Sequence, residues 1–136
     1  MSIQIKGIDH IVLLVSDVKR SINFYCDALG CSVDRERPDL GLYHLRAGTA
    51  FIDLVDIHGK LGKQSLGSRK AEGRNVDHFA LRIESFVEQD ISSHLAAFDV
   101  KVGEVFQRYG AEGDGPSIYI SDPDNNTIEL KGAPQN

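Results

Sequence analysis

Two stretches of this chain read almost alike. Residues 8–15 are IDHIVLLV and residues 76–83 are VDHFALRI. Each has a β-branched residue, then Asp, then His, then a run suited to a buried strand. A helical pattern follows both. Ala28 and Leu29 fall on Ala97 and Phe98, and Val33 on Val102, once one residue is inserted in the second copy. Further on, Phe51-Ile52-Asp53-Leu54 matches Thr127-Ile128-Glu129-Leu130. A repeat limits the fold more than any other feature, because each copy has to form the same supersecondary unit.

The repeat also aligns chemistry. A histidine recurs near the start of each half and a carboxylate near its end: His10 and Asp53, then His78 and Glu129. If the halves pack about a pseudo-two-fold axis, these four side chains converge. Two imidazoles and two carboxylates suit a divalent ion of borderline softness, with Zn, Ni, Mn and Fe equally served. Strand alternation puts Asp53 on the same face as Phe51 and Val55, an odd place for a carboxylate unless a cation waits there. His44, His58 and His94 have no counterpart in the repeat and read as surface or half-buried residues.

Composition narrows the class. At 136 residues, 41% hydrophobic and 26% charged, the chain is globular and not disordered. It is long enough for one domain, residues 1–136, built from a first module at about 4–57, a basic loop at 58–74 and a second module at about 75–132. A net charge of −5 argues against nucleic-acid or anionic membrane surfaces as partners. No apolar run approaches membrane-spanning length and no signal peptide is evident, so the expectation is a cytoplasmic protein. The two cysteines, Cys26 and Cys31, read as buried free thiols.

In chain order, residues 4–15 predict a strand. Ser16 or Asp17 can cap a helix with apolar positions Ile22, Tyr25, Cys26 and Leu29. Phe24 falls on its polar face, and Gly30 ends it. Strands follow at 31–36, 41–46 and 50–56. The segment HGKLGKQSLGSRKAEGR, residues 58–74, has no clean period and carries Lys60, Lys63, Arg69, Lys70 and Arg74. It reads as a solvated linker or as a basic lid that draws in an anionic substrate.

The second half predicts a strand at 76–83 and a helix at 87–98 with Val87, Ile91, Leu95 and Phe98 inward. A strand at 100–107, a Gly-rich loop at 109–116 and a hairpin of 117–121 with 127–131 complete it. The hairpin closes around Asp122-Pro123-Asp124-Asn125-Asn126, where Asp122 and Asp124 are turn residues. Centring that turn on Asp124 sets Tyr119 opposite Glu129, where its hydroxyl can touch a substrate or its ring can simply pack. The fold class is α+β: two βαβββ modules forming a cup-shaped mixed sheet with helices outside.

These residues carry a family resemblance. IDHIVLLVSDVKRSINFYCDALG, VDHFALRIE and GPSIYISDPDNNTIELKG resemble the vicinal oxygen chelate superfamily, which includes glyoxalase I, extradiol dioxygenases, fosfomycin-resistance transferases and bleomycin-binding proteins. The whole is similar to small bacterial single-domain glyoxalase-like proteins, some of them labelled virulence-associated. The resemblance places the family's metal positions on His10, His78 and Glu129. It places the fourth, Glu in glyoxalase I, on Asp53, shorter in reach by about 1.5 Å.

It further implies a small substrate chelated through adjacent oxygens, with Glu129 or Asp53 as base and Tyr119 beside the substrate. It also implies a homodimer in which His10 and Asp53 of one chain complete a site with His78 and Glu129 of the other. The expected activity is a metal-dependent lyase or isomerase. The alternatives are an extradiol-type dioxygenase and a metal-free ligand-sequestering protein of the bleomycin-resistance type. Leu14 and Ile57 stand where glyoxalase I has the Arg and Asn that hold glutathione. No Lys stands near Gln107, where fosfomycin transferases have one.

Overall fold

The computed structural model describes residue 4, residues 7–68 and residues 76–135. The chain divides into two compact units, Met1–Glu72 and Gly73–Asn136. Each unit is one βαβββ module with its own four-stranded mixed sheet.

In the first unit the strands are β1 (His10–Val15), β2 (Ser32–Arg37), β3 (Leu42–Ala47) and β4 (Ala50–Asp56), ordered β1-β4-β3-β2. β1 runs parallel to β4, and the other pairs are antiparallel. As an edge strand β1 has one neighbour. It is therefore less covered than its apolar sequence suggests, with Val15 buried and Val12 half exposed.

Helix α1 (Val18–Ile22) is capped by Asp17, whose carboxylate accepts from the Arg20 amide at 3.1 Å. It runs on into a π-helical turn, Asn23–Ala28. The wider turn shifts the side-chain register. Phe24, placed outward by the 3.6-residue period, is buried instead, edge-on to Tyr25 with ring centroids 5.0 Å apart. Tyr25, Leu45, Ile52 and Leu54 form the core beneath the helix. The segment expected to be an unstructured loop from residue 58 begins as a helix, α2 (Lys60–Ser68). Lys60 and Lys63 stand on it. Arg69, Lys70 and Arg74 lie outside the described residues.

In the second unit the strands are β5 (Phe79–Arg82), β6 (Phe106–Gly110), β7 (Gly113–Ser121) and β8 (Thr127–Lys131), ordered β5-β8-β7-β6. Helix α3 (Glu88–Ala96) buries Leu95. Val87 and Phe98, expected inward, flank the helix and stay largely exposed. The strand expected at 100–107 and the loop expected at 109–116 are replaced by a β6–β7 hairpin. Gly113, at φ +108°, closes the turn, and Gly110 makes room: a Cβ there would meet Lys131 Cε at 2.5 Å. The Lys131 stem runs there, buried, and its ammonium donates to the carbonyls of Arg108 and Gly115. Ile118, Ile120, Ile128 and Leu130 form the core on the opposite face.

Candidate functional site

The second unit assembles three of the expected residues. His78 immediately precedes β5, Glu129 lies on β8 and Tyr119 on β7. Tyr119 and Glu129 are direct cross-strand partners, as the hairpin arithmetic requires. His78 Nε2 is 3.3 Å from Glu129 Oε1. The Tyr119 hydroxyl donates to the same oxygen at 3.3 Å, and the tyrosine ring meets the His78 ring edge-on at 5.5 Å. The other carboxylate oxygen, Oε2, accepts from the Ser117 hydroxyl at 2.7 Å. Glu129 and Ser117 are both buried. Arg108, stacked on Phe106 at 4.5 Å, reaches the Tyr119 oxygen at 3.4 Å.

The first unit holds a related set. His10 opens β1, and Asp53 is buried in the middle of β4. The partner of Asp53 is His44, whose Nδ1 is 2.8 Å from Asp53 Oδ1. His44 is therefore no bland residue: it supplies the polar contact that a buried carboxylate needs. The same register arithmetic that pairs Tyr119 with Glu129 pairs His44 with Asp53 across β3 and β4. Ser117, two residues before Tyr119, shares its strand face and could be found the same way.

Both repeat histidines carry a neighbouring acid. Asp9 Oδ2 lies 2.7 Å from His10 Nδ1, and Asp77 Oδ2 lies 2.7 Å from His78 Nδ1. In the neutral ring Nδ1–H donates to the aspartate, and Nε2 keeps its lone pair. The hydrogen bond to Asp9 raises the His10 pKa against some desolvation, helped by the charges of Asp53 and Asp9. The bond to Asp77 raises that of His78 in the same way, with Asp77 and Glu129 adding.

A divalent ion fits this donor chemistry. Two ligands bound at about 2.1 Å and separated by 90–109° stand about 3.0–3.4 Å apart. His78 Nε2 and Glu129 Oε1 are already at that spacing. A metal-ligating histidine typically gives its other N–H to a carboxylate, which is what Asp9 and Asp77 receive. Among the described residues no three His, Cys, Asp or Glu side chains gather around one point. The second unit supplies one facing pair, His78 with Glu129, whereas in the first Asp53 bonds to His44 and reaches His10 only through its charge.

Residues 7–130 match the family described as the Glyoxalase/Bleomycin resistance protein/Dioxygenase superfamily. The chain belongs to this superfamily. Virulence protein STM3117 of Salmonella typhimurium is 32% identical over 129 residues, covering 93% of this chain and 83% of that protein. Its crystal structure superimposes with a TM-score of 0.73 at 28% identity, over 97% of this chain and 100% of that one. A putative lactoylglutathione lyase of Brassica oleracea var. gemmifera is 28% identical over 89% of this chain and 42% of its own length. Metallothiol transferase FosB of Bacillus licheniformis is 29% identical over 93% of this chain and 75% of its own length. The vicinal-oxygen-chelate resemblance and the two-module α+β fold are thereby established. No helix among the described residues is long and apolar enough to cross a membrane.

Proposed function

We propose that this superfamily member is a cytoplasmic metal-dependent enzyme, a lyase or isomerase acting on a small substrate that carries oxygens on adjacent atoms. The observation that carries this reading is the facing pair in the second unit. An aspartate-held histidine presents Nε2 to a buried carboxylate at 3.3 Å, the separation of two neighbouring metal ligands. The relatives named as a lyase and a metallothiol transferase support a metal-dependent enzyme.

His10, His78 and Glu129 are the proposed ligands, with Asp53 as the fourth. A divalent ion held there supplies Lewis acidity to a substrate oxygen. The chain's own residues do the rest. Glu129, held at Oε2 by Ser117, or Asp53 would act as the proton acceptor on releasing the ion. Tyr119, whose hydroxyl already reaches Glu129 Oε1, contacts the substrate there. Asp9 and Asp77 orient the two imidazoles. Leu14 and Ile57 supply no polar group for a charged tripeptide thiol, so two of the handles that hold glutathione in glyoxalase I are missing. Two copies pair, and His10 and Asp53 of one chain complete a site with His78 and Glu129 of the other.

The test is elemental analysis of protein purified without an affinity tag, wild type beside His78→Ala and Asp53→Ala. Wild type should hold about one divalent ion per chain, and His78→Ala should lose it. Nickel or zinc supports the lyase or isomerase reading, and iron or manganese redirects it to oxygenase chemistry. Wild type that is empty and cannot be loaded sinks the enzyme reading in favour of ligand sequestration.

A further inference from the structure

Each unit satisfies its buried carboxylate from the neighbouring antiparallel strand, and in each a single oxygen takes the one short bond. In the second unit the short bond is Ser117 Oγ to Glu129 Oε2, 2.7 Å. Glu129 Oε1 has the longer contacts, 3.3 Å to His78 Nε2 and 3.3 Å to Tyr119 Oη. In the first unit the short bond is His44 Nδ1 to Asp53 Oδ1, 2.8 Å. The difference in partner follows reach. Asp53 is a methylene shorter and meets the residue directly opposite, His44. Glu129 is longer and meets Ser117, two residues along the strand, while Tyr119 takes the place opposite.

We propose that His44 and Ser117 are a matched pair of positioning residues, each holding one oxygen of its carboxylate so that the other oxygen is the one turned to a divalent ion. The inference rests on the metal-dependent reading above. A glutamate with free torsions has to be ordered when a ligand arrives, whereas one held at Oε2 is ordered beforehand. Ser117 is fully buried and lies against the carboxylate rather than facing solvent. Losing its hydroxyl leaves a buried acceptor oxygen without its shortest bond.

The experiment uses cobalt(II) as the probe on full-length protein. The set is wild type, Ser117→Ala, Ser117→Thr, His44→Phe and His44→Gln. Dissociation constants come from chelator competition, coordination from the visible absorption of bound cobalt, and folding from melts of the metal-free proteins. Ser117→Ala and His44→Phe should weaken cobalt binding about 10–100-fold and alter its spectrum, while Ser117→Thr and His44→Gln, which keep a donor, recover most of the loss. Should Ser117→Ala not fold, Ser117→Val beside Ser117→Thr, alike in shape and differing in the hydroxyl, carries the same test.

Cobalt affinity within about threefold of wild type in both Ser117→Ala and His44→Phe, with unchanged spectra and lower melting temperatures, makes the two residues structural and overturns the proposal. An effect confined to Ser117→Ala overturns the His44 half and takes Asp53 out of the donor set. Wild type that binds no cobalt overturns the metal-dependent reading itself, and this inference with it.

Discussion

Gly62→Ala should destabilise the first unit, against the usual preference for alanine in a helix. Helix propensity alone favours alanine by about 1 kcal/mol. The location reverses the sign. A Cβ on Gly62 would lie 2.1 Å from the Asp56 carbonyl oxygen, 2.6 Å from Ile57 Cα and 2.8 Å from the Asp56 carbonyl carbon. All three are backbone atoms at the end of β4, so no side chain can swing aside. Relieving the clash needs α2 to lift by about 1 Å. That movement strains the bond from the Leu61 amide to the Leu40 carbonyl, 3.2 Å, and the one from Gly59 to Asp56, 3.0 Å. Overpacking of about 1–3 kcal/mol and a weakened hydrogen bond of about 1 kcal/mol outweigh the propensity gain, leaving a net loss of roughly 2 kcal/mol, or about 8 °C in Tm. Circular-dichroism melts and urea titrations of Gly62→Ala beside Gln64→Ala, an exposed site on the same helix, measure it. A Gly62→Ala protein that melts at or above wild type would show that α2 is not seated on the end of β4. The seating fixes Lys60 and Lys63 on a docked helix.

Other outcomes follow from the same contacts. Asp122 is buried and accepts from the Asp124 amide at 2.9 Å and from the Asn126 amide and side chain at 2.8 Å each; Asp122→Ala should cost about 2–3 kcal/mol in urea melts, far beyond a surface substitution. In metal-free protein, NMR titration should place the imidazole midpoints of His10 and His78 above 6.5, and Asp9→Asn and Asp77→Asn should each lower the neighbouring one. Because those folded-state pKa values are raised, the stabilisation is fully present below about pH 6.5 and is lost as pH rises through the raised values. Protons compete with a metal for the same Nε2 atoms, so metal uptake should strengthen over that same rise in pH. Burial pushes the Cys31 thiol up to about 11, with Cys26 adding; its alkylation at pH 8 should be about a hundredfold slower than in the unfolded chain, and an equal rate would refute the assignment.

Much of this was legible because the repeat indexes it. β4 and β8 begin and end where alternation and turn chemistry place them, and Tyr119 faces Glu129 by counting from the turn. What escaped has physical causes. Phe24 reads outward on a 3.6-residue period, but a π turn is not on that period. Gly62, Gly110 and Gly115 read as loop residues. In fact each lets backbone or a lysine stem pass close by, inside a helix or a strand. His44 lacks a like residue in the second copy, where Tyr119 occupies its place, so a search for repeated histidines passes over it. Counting across the first hairpin, which closes at Ala47 and Ala50, finds it at once.

The two modules thus keep positions while changing chemistry, and the change bears on the ligand count. The acid-held histidine is the same in both units, 2.7 Å from its aspartate. The carboxylates are not equivalent. Glu129 has an oxygen at ligand spacing from His78 while its other oxygen stays with Ser117. Asp53 has its strongest contact with His44, a hydrogen bond to a buried carboxylate of the kind that contributes about 1.5–3 kcal/mol. Breaking that bond to bind an ion through both oxygens would leave His44 half-buried without its acceptor. Asp53 can join a ligand set cheaply only through Oδ2, with His44 still on Oδ1. On the proposed metal-dependent reading, a bidentate Asp53 is the arrangement this fold resists most, and the choice is between three ligands and four with Asp53 bound through one oxygen. Three leave an additional position open to substrate oxygens, and four close it. In the proposed site, the number of positions open to substrate accordingly turns on the reach of one short side chain and the histidine that holds it.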